Sequence, residues 1–230
     1  MYGAAVRRRL HAALAAALLA VALPAAGCGG GDSDTTGPGA AFEPHATLEA
    51  IGGTTRTEKP QIVLRVKARP GDSNIRSVAV NLPPVVLVDT TAVGKICSEK
   101  ELESNGCADS NRFGVARALS PAYEGPLAGP VHVVSGSGQL PGLVYSLSGP
   151  ADVQLRGRVV SKGGRMQAGV DDIPDTPLKS FELRIDGGKP GYLVLSRNIC
   201  GAKAVADGTF TSHEGQTYRQ KIPLEADCGS

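Results

Sequence analysis

Tryptophan is absent from this chain of 230 residues, and phenylalanine and tyrosine together supply only nine side chains. Carbohydrate-binding modules usually stack sugars on exposed aromatic rings, so this scarcity disfavours a glycan-binding surface. The chain instead contains 30 glycines and 16 prolines, which is typical of a turn-rich fold with an aliphatic core. A hydrophobic content of 41% indicates a folded domain rather than a disordered segment.

An excess of charge of one sign is also absent. The chain has 24 Lys and Arg against 22 Asp and Glu. The first 27 residues hold three of these arginines and no acidic residue, so the remainder carries 21 basic and 22 acidic side chains, a net charge of about −1. A surface with this balance has no basic excess for nucleic acid, and we expect no nucleic-acid partner.

The N-terminal apolar run, Leu10–Leu23, is too short to span a bilayer, because its 14 residues fall below the roughly 20 that a transmembrane helix needs. Arg7–Arg9 precede the run, and Ala-Ala-Gly-Cys at positions 25–28 follows it. Positive charge, an apolar run and small residues in this order are typical of an export signal. The ending resembles a bacterial lipobox, in which the cysteine sulfur receives a diacylglycerol and becomes the first mature residue.

We therefore expect residues 1–27 to be a lipoprotein signal peptide and Cys28 to be lipidated. The lipid would then be the membrane partner, anchoring the protein at the outer face of the cytoplasmic membrane in the cell envelope. An ordinary secretory signal and a transmembrane anchor are the alternative interpretations. Residues 28–45 are rich in Gly, Ser, Thr and Asp, which predicts a flexible tether.

From residue 46 onward the hydrophobic period is two. Ile62, Leu64 and Val66 alternate with Arg65 and Lys67, which is typical of a half-buried strand. Short connections rich in glycine and proline favour antiparallel neighbours. Further strands are predicted at Ser77–Leu82, Val85–Val88, Val131–Val134, Leu143–Leu147, Val153–Val160, Met166–Val170, Ser180–Asp186, Tyr192–Leu195, Lys203–Thr211 and Tyr218–Ala226.

The predicted fold class is all-β, an antiparallel meander that forms a sandwich or half-barrel over residues 46–230. The domain could be one unit or two subdomains, 46–120 and 121–230. One short helix is predicted near residues 98–105, because Ser98 and Glu101 form a capping box and Gly106 supplies a C-terminal stop.

Four cysteines follow Cys28, and an even number in an exported chain predicts two disulfides. Three connectivities are possible. We favour the local one, which joins Cys97 to Cys107 and Cys200 to Cys228 and closes two modest loops. No Cys-x-x-Cys spacing or neighbouring histidine supports a zinc site or a redox-active pair.

Residues that carry catalytic chemistry are scattered. His45, His132 and His213 lie far apart in the sequence, and no serine occupies a Gly-x-Ser-x-Gly motif. We therefore predict no catalytic residues, no cofactor and no enzymatic activity. Asp171, Asp172 and Asp175 are weak candidates for a calcium site, since hard oxygen ligands suit that ion although their spacing does not match an EF-hand loop.

Several short motifs resemble domains in uncharacterised envelope proteins of high-GC Actinobacteria. The resemblance covers roughly residues 60–228 and is carried by Gly125–Val131, Leu140–Val144, Ile173–Pro177, Asn198–Gly201 and Gly208–Ser212. It implies an all-β envelope domain and brings with it no activity, ligand or catalytic residue.

The function expected from these patterns is that of a membrane-anchored envelope lipoprotein with a non-catalytic binding or structural β domain, whose partner is another envelope component. The alternative is a carrier of a lipid or other apolar small molecule. A carrier needs a concave apolar pocket. Alternating strands predict one apolar face, which fits a filled core and an open cavity equally well.

We predict that Cys28→Ala abolishes membrane anchoring. Intact-mass analysis of wild-type protein extracted from host membranes should show loss of residues 1–27 and a diacylglycerol adduct on Cys28. The variant should be released or remain unprocessed, whereas a soluble wild-type product with an unmodified Cys28 would contradict the prediction.

Overall fold

The computed structural model describes residues 42–229, apart from 90, 92–95, 105, 136–139, 190 and 202. The predicted signal peptide, Cys28 and most of the predicted tether lie outside the described residues. The strands are β1 His45–Ile51, β2 Gln61–Lys67, β3 Ile75–Asn81, β4 Val86–Val88, β5 Arg112–Leu119, β6 Pro126–Val134, β7 Gly142–Leu147, β8 Val153–Lys162, β9 Arg165–Val170, β10 Ser180–Ile185, β11 Leu193–Leu195, β12 Val205–Ser212 and β13 Thr217–Ala226, with helix α1 at Glu99–Glu103.

Eleven of these strands form one closed barrel, in the order β1-β13-β12-β3-β9-β8-β7-β6-β5-β10-β2. The all-β prediction with one short helix is confirmed. The expectation of a sandwich or half-barrel is wrong, because β1 pairs with β2 on one side and with β13 on the other. Hairpin signals in the sequence specify neighbours along the chain, whereas closure depends on strands at opposite ends of it.

The predicted meander is present only from β5 to β9, where five consecutive strands pair antiparallel. Apart from the hairpins β1–β2 and β12–β13, the other neighbours are distant in the sequence, since β10 lies between β2 and β5, and β3 lies between β12 and β9. Strands from before and after residue 120 therefore share one sheet, and the described residues belong to one compact unit. Phe42 and Pro44, which the sequence placed in the tether, are buried.

One pair of neighbours in the barrel, β1 and β13, is parallel, with Leu48 opposite Leu224 and Ala50 opposite Ala226. The remaining ten pairs are antiparallel. Direction reverses at each antiparallel step, so a ring of eleven strands cannot close without a parallel pair. Gln220 extends this seam: its Oε1 accepts from the Ala46 N–H at 2.8 Å, and its Nε2 donates to the Ala46 carbonyl at 2.8 Å.

Two barrel strands lack a clear sequence signal. In β5 the inward positions carry the small residues Gly114, Ala116 and Ala118, while Val115 points outward and is 40% exposed. A Cβ on Gly114 would lie 2.1 Å from the Arg184 carbonyl oxygen, so only glycine allows this approach of the strands. The first half of β6 contains two prolines and a glycine, which in sequence are typical of a turn.

A small antiparallel ribbon, β4 with β11, closes one end of the barrel, which we call the base. Its residues Val86, Leu193 and Leu195 are buried in the main apolar core. The Leu195 N–H donates to the Glu58 carbonyl, at 2.9 Å, so the ribbon is hydrogen-bonded to the connection between β1 and β2. The sequence predicted both strands, but β11 pairs with β4 rather than with a barrel strand.

Both disulfides have the pairing that the sequence analysis favoured. Cys97 is bonded to Cys107 and Cys200 to Cys228, with Cα–Cα distances of 5.5 and 5.6 Å. The first brackets α1, whose N-cap Ser98 forms the predicted capping box with Glu101. This helix packs Leu102 against the outer face of the barrel, over Val134 and Val144.

We predict that Gln220→Leu lowers the free energy of unfolding by about 1–3 kcal/mol, because it removes both partners of the Ala46 backbone at a half-buried position. Urea denaturation followed by circular dichroism measures the change. Arg219→Leu, at the neighbouring exposed position, is the matched control. Equal effects of the two substitutions would show that the seam does not depend on the Gln220 amide.

Candidate functional site

The barrel encloses an apolar cavity of about 200 Å³. Inward-facing side chains of at least eight strands line it, and several of them, including Leu64, Val78 and Phe181, remain half-buried because nothing among the described residues fills the space before them. The lining comprises Leu48, Leu64, Val66, Ile75, Val78, Val80, Leu82, Phe113, Ala118, Leu127, Leu143, Tyr145, Leu147, Val153, Leu155, Ala168, Gly169, Val170, Phe181, Leu183 and Ile185 within the barrel.

The width of the sheet accounts for the cavity. An eight-stranded barrel is just narrow enough for its own side chains to fill, and diameter grows with strand number. Eleven strands therefore enclose more volume than aliphatic side chains occupy, particularly where Ala118 and Ala168 face inward. The ribbon of β4 and β11 fills the base, so the unfilled volume lies toward the opposite end, which we call the mouth.

Residues 171–179 cross the mouth, and we call this segment the strap. It joins β9 to β10, which are separated by four strands in one direction around the ring and by five in the other. The two strands therefore lie on opposite sides of the barrel, and the connection must pass over the opening. Ile173 and Leu178 line the cavity from the strap, together with the exposed Pro174 and Pro177, so the cavity reaches the surface there.

Specific contacts hold the strap in place. On one side the Ile173 N–H donates to the Arg76 carbonyl at 2.9 Å, and the Ile173 carbonyl lies 3.0 Å from Nε2 of His213. The Asn74 amide donates to Asp175 at 2.7 Å. These contacts hold the apolar side chains of the strap over the cavity. The polar groups of the strap face the neighbouring turns.

The cavity lining carries no charged side chain among the described residues, and its polar members are Ser120, Tyr123 and Thr176 near the mouth and Tyr145 deeper in the barrel. Burial raises the pKa of Tyr145 to about 12, so this phenol keeps its proton at physiological pH. Charged groups instead occupy the outer face, where Arg65 bonds to both Glu49 and Glu182 at 2.8 Å. The interior is suited to an uncharged, largely apolar guest.

The weak calcium candidates lie on the strap but do not converge. Asp171 forms an ion pair with Arg158, and Asp175 accepts from Asn74, while Asp172 is exposed. Within the described ranges, no group of three or more His, Cys, Asp or Glu side chains is arranged to hold a metal ion.

The three histidines are not brought together. His213 contacts the strap at the mouth, and His45 begins β1 at an exposed position. His132 lies on the outward face of β6 toward the base, opposite Arg112 of β5. Its side chain is 9% exposed, and its Nδ1 is buried without a hydrogen-bond partner.

The apolar face of the strands was predicted from the sequence, with an open cavity as one of two possible consequences, but most residues of the mouth were not. Phe113 and Tyr123 belong to a strand and a turn that the pattern did not predict. A signal was present in the inward alanines of β5 and β9, since small residues on an apolar face leave space. That signal becomes meaningful only once the number of strands in the ring is known.

No protein-family model, curated protein or solved structure matches this chain. In the part of the chain that the structure describes, no helix combines the length and the apolar character needed to cross a membrane.

We predict that His132 makes the protein less stable in mild acid. Burial lowers the pKa of His132 below the value of about 6.5 expected in the unfolded chain, with Asp109 opposing and Arg112 adding to this effect. The unfolded state therefore binds more protons as the pH falls below 6.5, and the free energy of unfolding decreases there. Above that pH the histidine is neutral in both states and the loss is absent.

Urea denaturation of His132→Leu and wild type between pH 7.5 and 5 tests this prediction. The free energy of unfolding of His132→Leu should rise relative to that of the wild type as the pH falls below 6.5. His45→Gln, at an exposed position, controls for the removal of a histidine as such. A constant difference between His132→Leu and wild type over the whole range would contradict the assignment.

Proposed function

We propose that this protein is a non-catalytic carrier or binder of an uncharged apolar small molecule, which it holds in the barrel cavity and presents in the cell envelope from a lipid anchor at Cys28. The observation that carries this proposal is the cavity itself: about 200 Å³ of apolar space that reaches the surface beside the strap. It favours the carrier over a purely structural or protein-binding domain, which would have no use for an unfilled interior.

The free-energy cost of an unfilled cavity supports this interpretation. Protein interiors are normally packed as densely as organic crystals. Cavities cost roughly 24 cal/mol per Å³, so one of this volume costs about 5 kcal/mol. Larger residues in place of Ala118 and Ala168 would fill the cavity and remove that cost. A bound apolar molecule would also fill the cavity and would recover the lost stability.

The chemistry of the lining supports binding rather than turnover. As far as the structure describes it, the lining offers no histidine, carboxylate, lysine or arginine to act as an acid, a base or a counter-charge. A charged ligand group would be expensive to bury there without a partner. An apolar molecule, in contrast, gains roughly 25 cal/mol for each Å² removed from water. An engineered apolar cavity of about 150 Å³ binds benzene, which sets the scale for the part of a ligand that fits inside.

The two disulfide pairs support an exported location, because such bonds persist in oxidising compartments. Lipid anchoring at Cys28 stays a prediction from the sequence. With that anchor, the carrier would work at the membrane surface.

We predict that Ala118→Phe weakens the binding of toluene to the purified protein at least tenfold, measured by equilibrium headspace gas chromatography. The new ring would occupy the cavity, and a small-to-large change that fills an existing void should leave the fold intact. Val115→Phe is the matched control, because Val115 lies on the same strand and points outward.

The carrier proposal expects wild type and Val115→Phe to bind toluene with similar affinity and Ala118→Phe to lose at least tenfold. Native mass spectrometry of protein purified from its host envelope without detergent should also show a co-purifying small molecule. Failure of wild type to bind any apolar probe, or binding that is insensitive to Ala118→Phe, would overturn the proposal.

A further inference from the structure

Tyr145 is the polar exception deep within the barrel. It lies on β7 opposite Leu155 of β8, two residues from the mouth end of the strand at Leu147, or about 7 Å at the usual strand rise. Its side chain is 5% exposed and lines the cavity. The ring packs over Gly157, where an added Cβ would come within 3.0 Å of it, and against Phe181, with ring centroids 6.3 Å apart.

The Tyr145 hydroxyl makes no hydrogen bond to any residue that the structure describes. Buried tyrosine hydroxyls usually have a partner, because losing water without replacement is costly. The oxygen is also not sealed among packed atoms. Over the described ranges, the single side-chain polar atom that is both sealed and unpartnered is Nδ1 of His132. The Tyr145 oxygen therefore borders the open space of the cavity.

We infer that the Tyr145 hydroxyl is the hydrogen-bond donor for an oxygen atom of the bound molecule, and that the ligand is an uncharged lipid-like compound with a carbonyl or hydroxyl oxygen within its apolar part. This inference rests on the proposed carrier function and narrows its ligand class. A pure hydrocarbon would leave the hydroxyl unsatisfied, and a carboxylate or ammonium group would have no counter-charge in the lining.

The direction of the hydrogen bond follows from the chemistry of the phenol. Burial keeps it protonated, so it can donate, and a ligand carbonyl oxygen can only accept. The polar groups near the mouth, Ser120, Tyr123 and Thr176, are half-buried and reach solvent, and the Ser120 hydroxyl already accepts from the Ala122 N–H at 3.0 Å. Tyr145 is thus the group that can select for an oxygen inside the barrel rather than at its entrance.

The test compares two probes of nearly identical shape, 2-heptanone and 2-methyl-1-heptene, which has a methylene group in place of the carbonyl oxygen. The affinities of both probes are measured by equilibrium headspace gas chromatography with purified wild-type protein and with Tyr145→Phe. The inference expects wild type to prefer the ketone, and Tyr145→Phe to lose about 5- to 30-fold in ketone affinity with no loss for the alkene. Tyr218→Phe is the control, since that tyrosine packs against the core without lining the cavity.

Unliganded stability gives a second readout. Because the Tyr145 hydroxyl has no partner among the residues that the structure describes, Tyr145→Phe should leave Tm unchanged or raise it, whereas a fall of several degrees would reveal an internal partner and overturn the inference. Equal loss of both probes in Tyr145→Phe, or no preference of wild type for the ketone, would overturn it as well. If neither probe binds wild type, the carrier function itself fails, so the two failures are distinguishable.

Discussion

Closure of eleven strands into one ring is the constraint on which the rest of this structure depends. An odd ring requires a parallel pair, and the chain places that pair between its first and last barrel strands, β1 and β13. Gln220 continues the seam by pairing its side-chain amide with the backbone of Ala46, as a neighbouring strand would. Without this closure both strands would be open edges, and the apolar face of the sheet would be exposed to water.

The cavity follows from the same closure. A ring of this width needs filling at both ends and along its axis, and the described chain fills only one end, with the ribbon of β4 and β11. At the other end the ring order puts β9 and β10 opposite each other, so their connection has to cross the opening as the strap. Topology therefore produces a base, a cavity and a partial cover, while the inward alanines decide how much space is left.

Features that depend on residues close together in the chain could be predicted from the sequence, whereas the pairing of strands distant in the chain could not. The capping box at Ser98 and most strands depend on residues close together in the chain, and each was predicted near its observed position. β5 escaped prediction because its inward residues are glycine and alanine and its valine points outward. The sequence could not decide whether the core is filled or open, for a different reason. Alternation gives the same apolar face to a filled sandwich and to an open barrel, and only the number of strands and their closure into a ring distinguish the two.

Two buried polar side chains among the described residues, His132 and Tyr145, have a polar atom without a hydrogen-bond partner, and their surroundings give the two atoms different roles. Nδ1 of His132 is sealed on the outer side of the sheet, so no ligand can reach it and its effect is confined to stability. The Tyr145 hydroxyl has the same deficit, but it borders a space connected to the mouth. A ligand oxygen that accepts from this hydroxyl would remove the cost of leaving it unsatisfied, so Tyr145, the polar side chain that lies deepest among the described lining residues, would select for such a ligand.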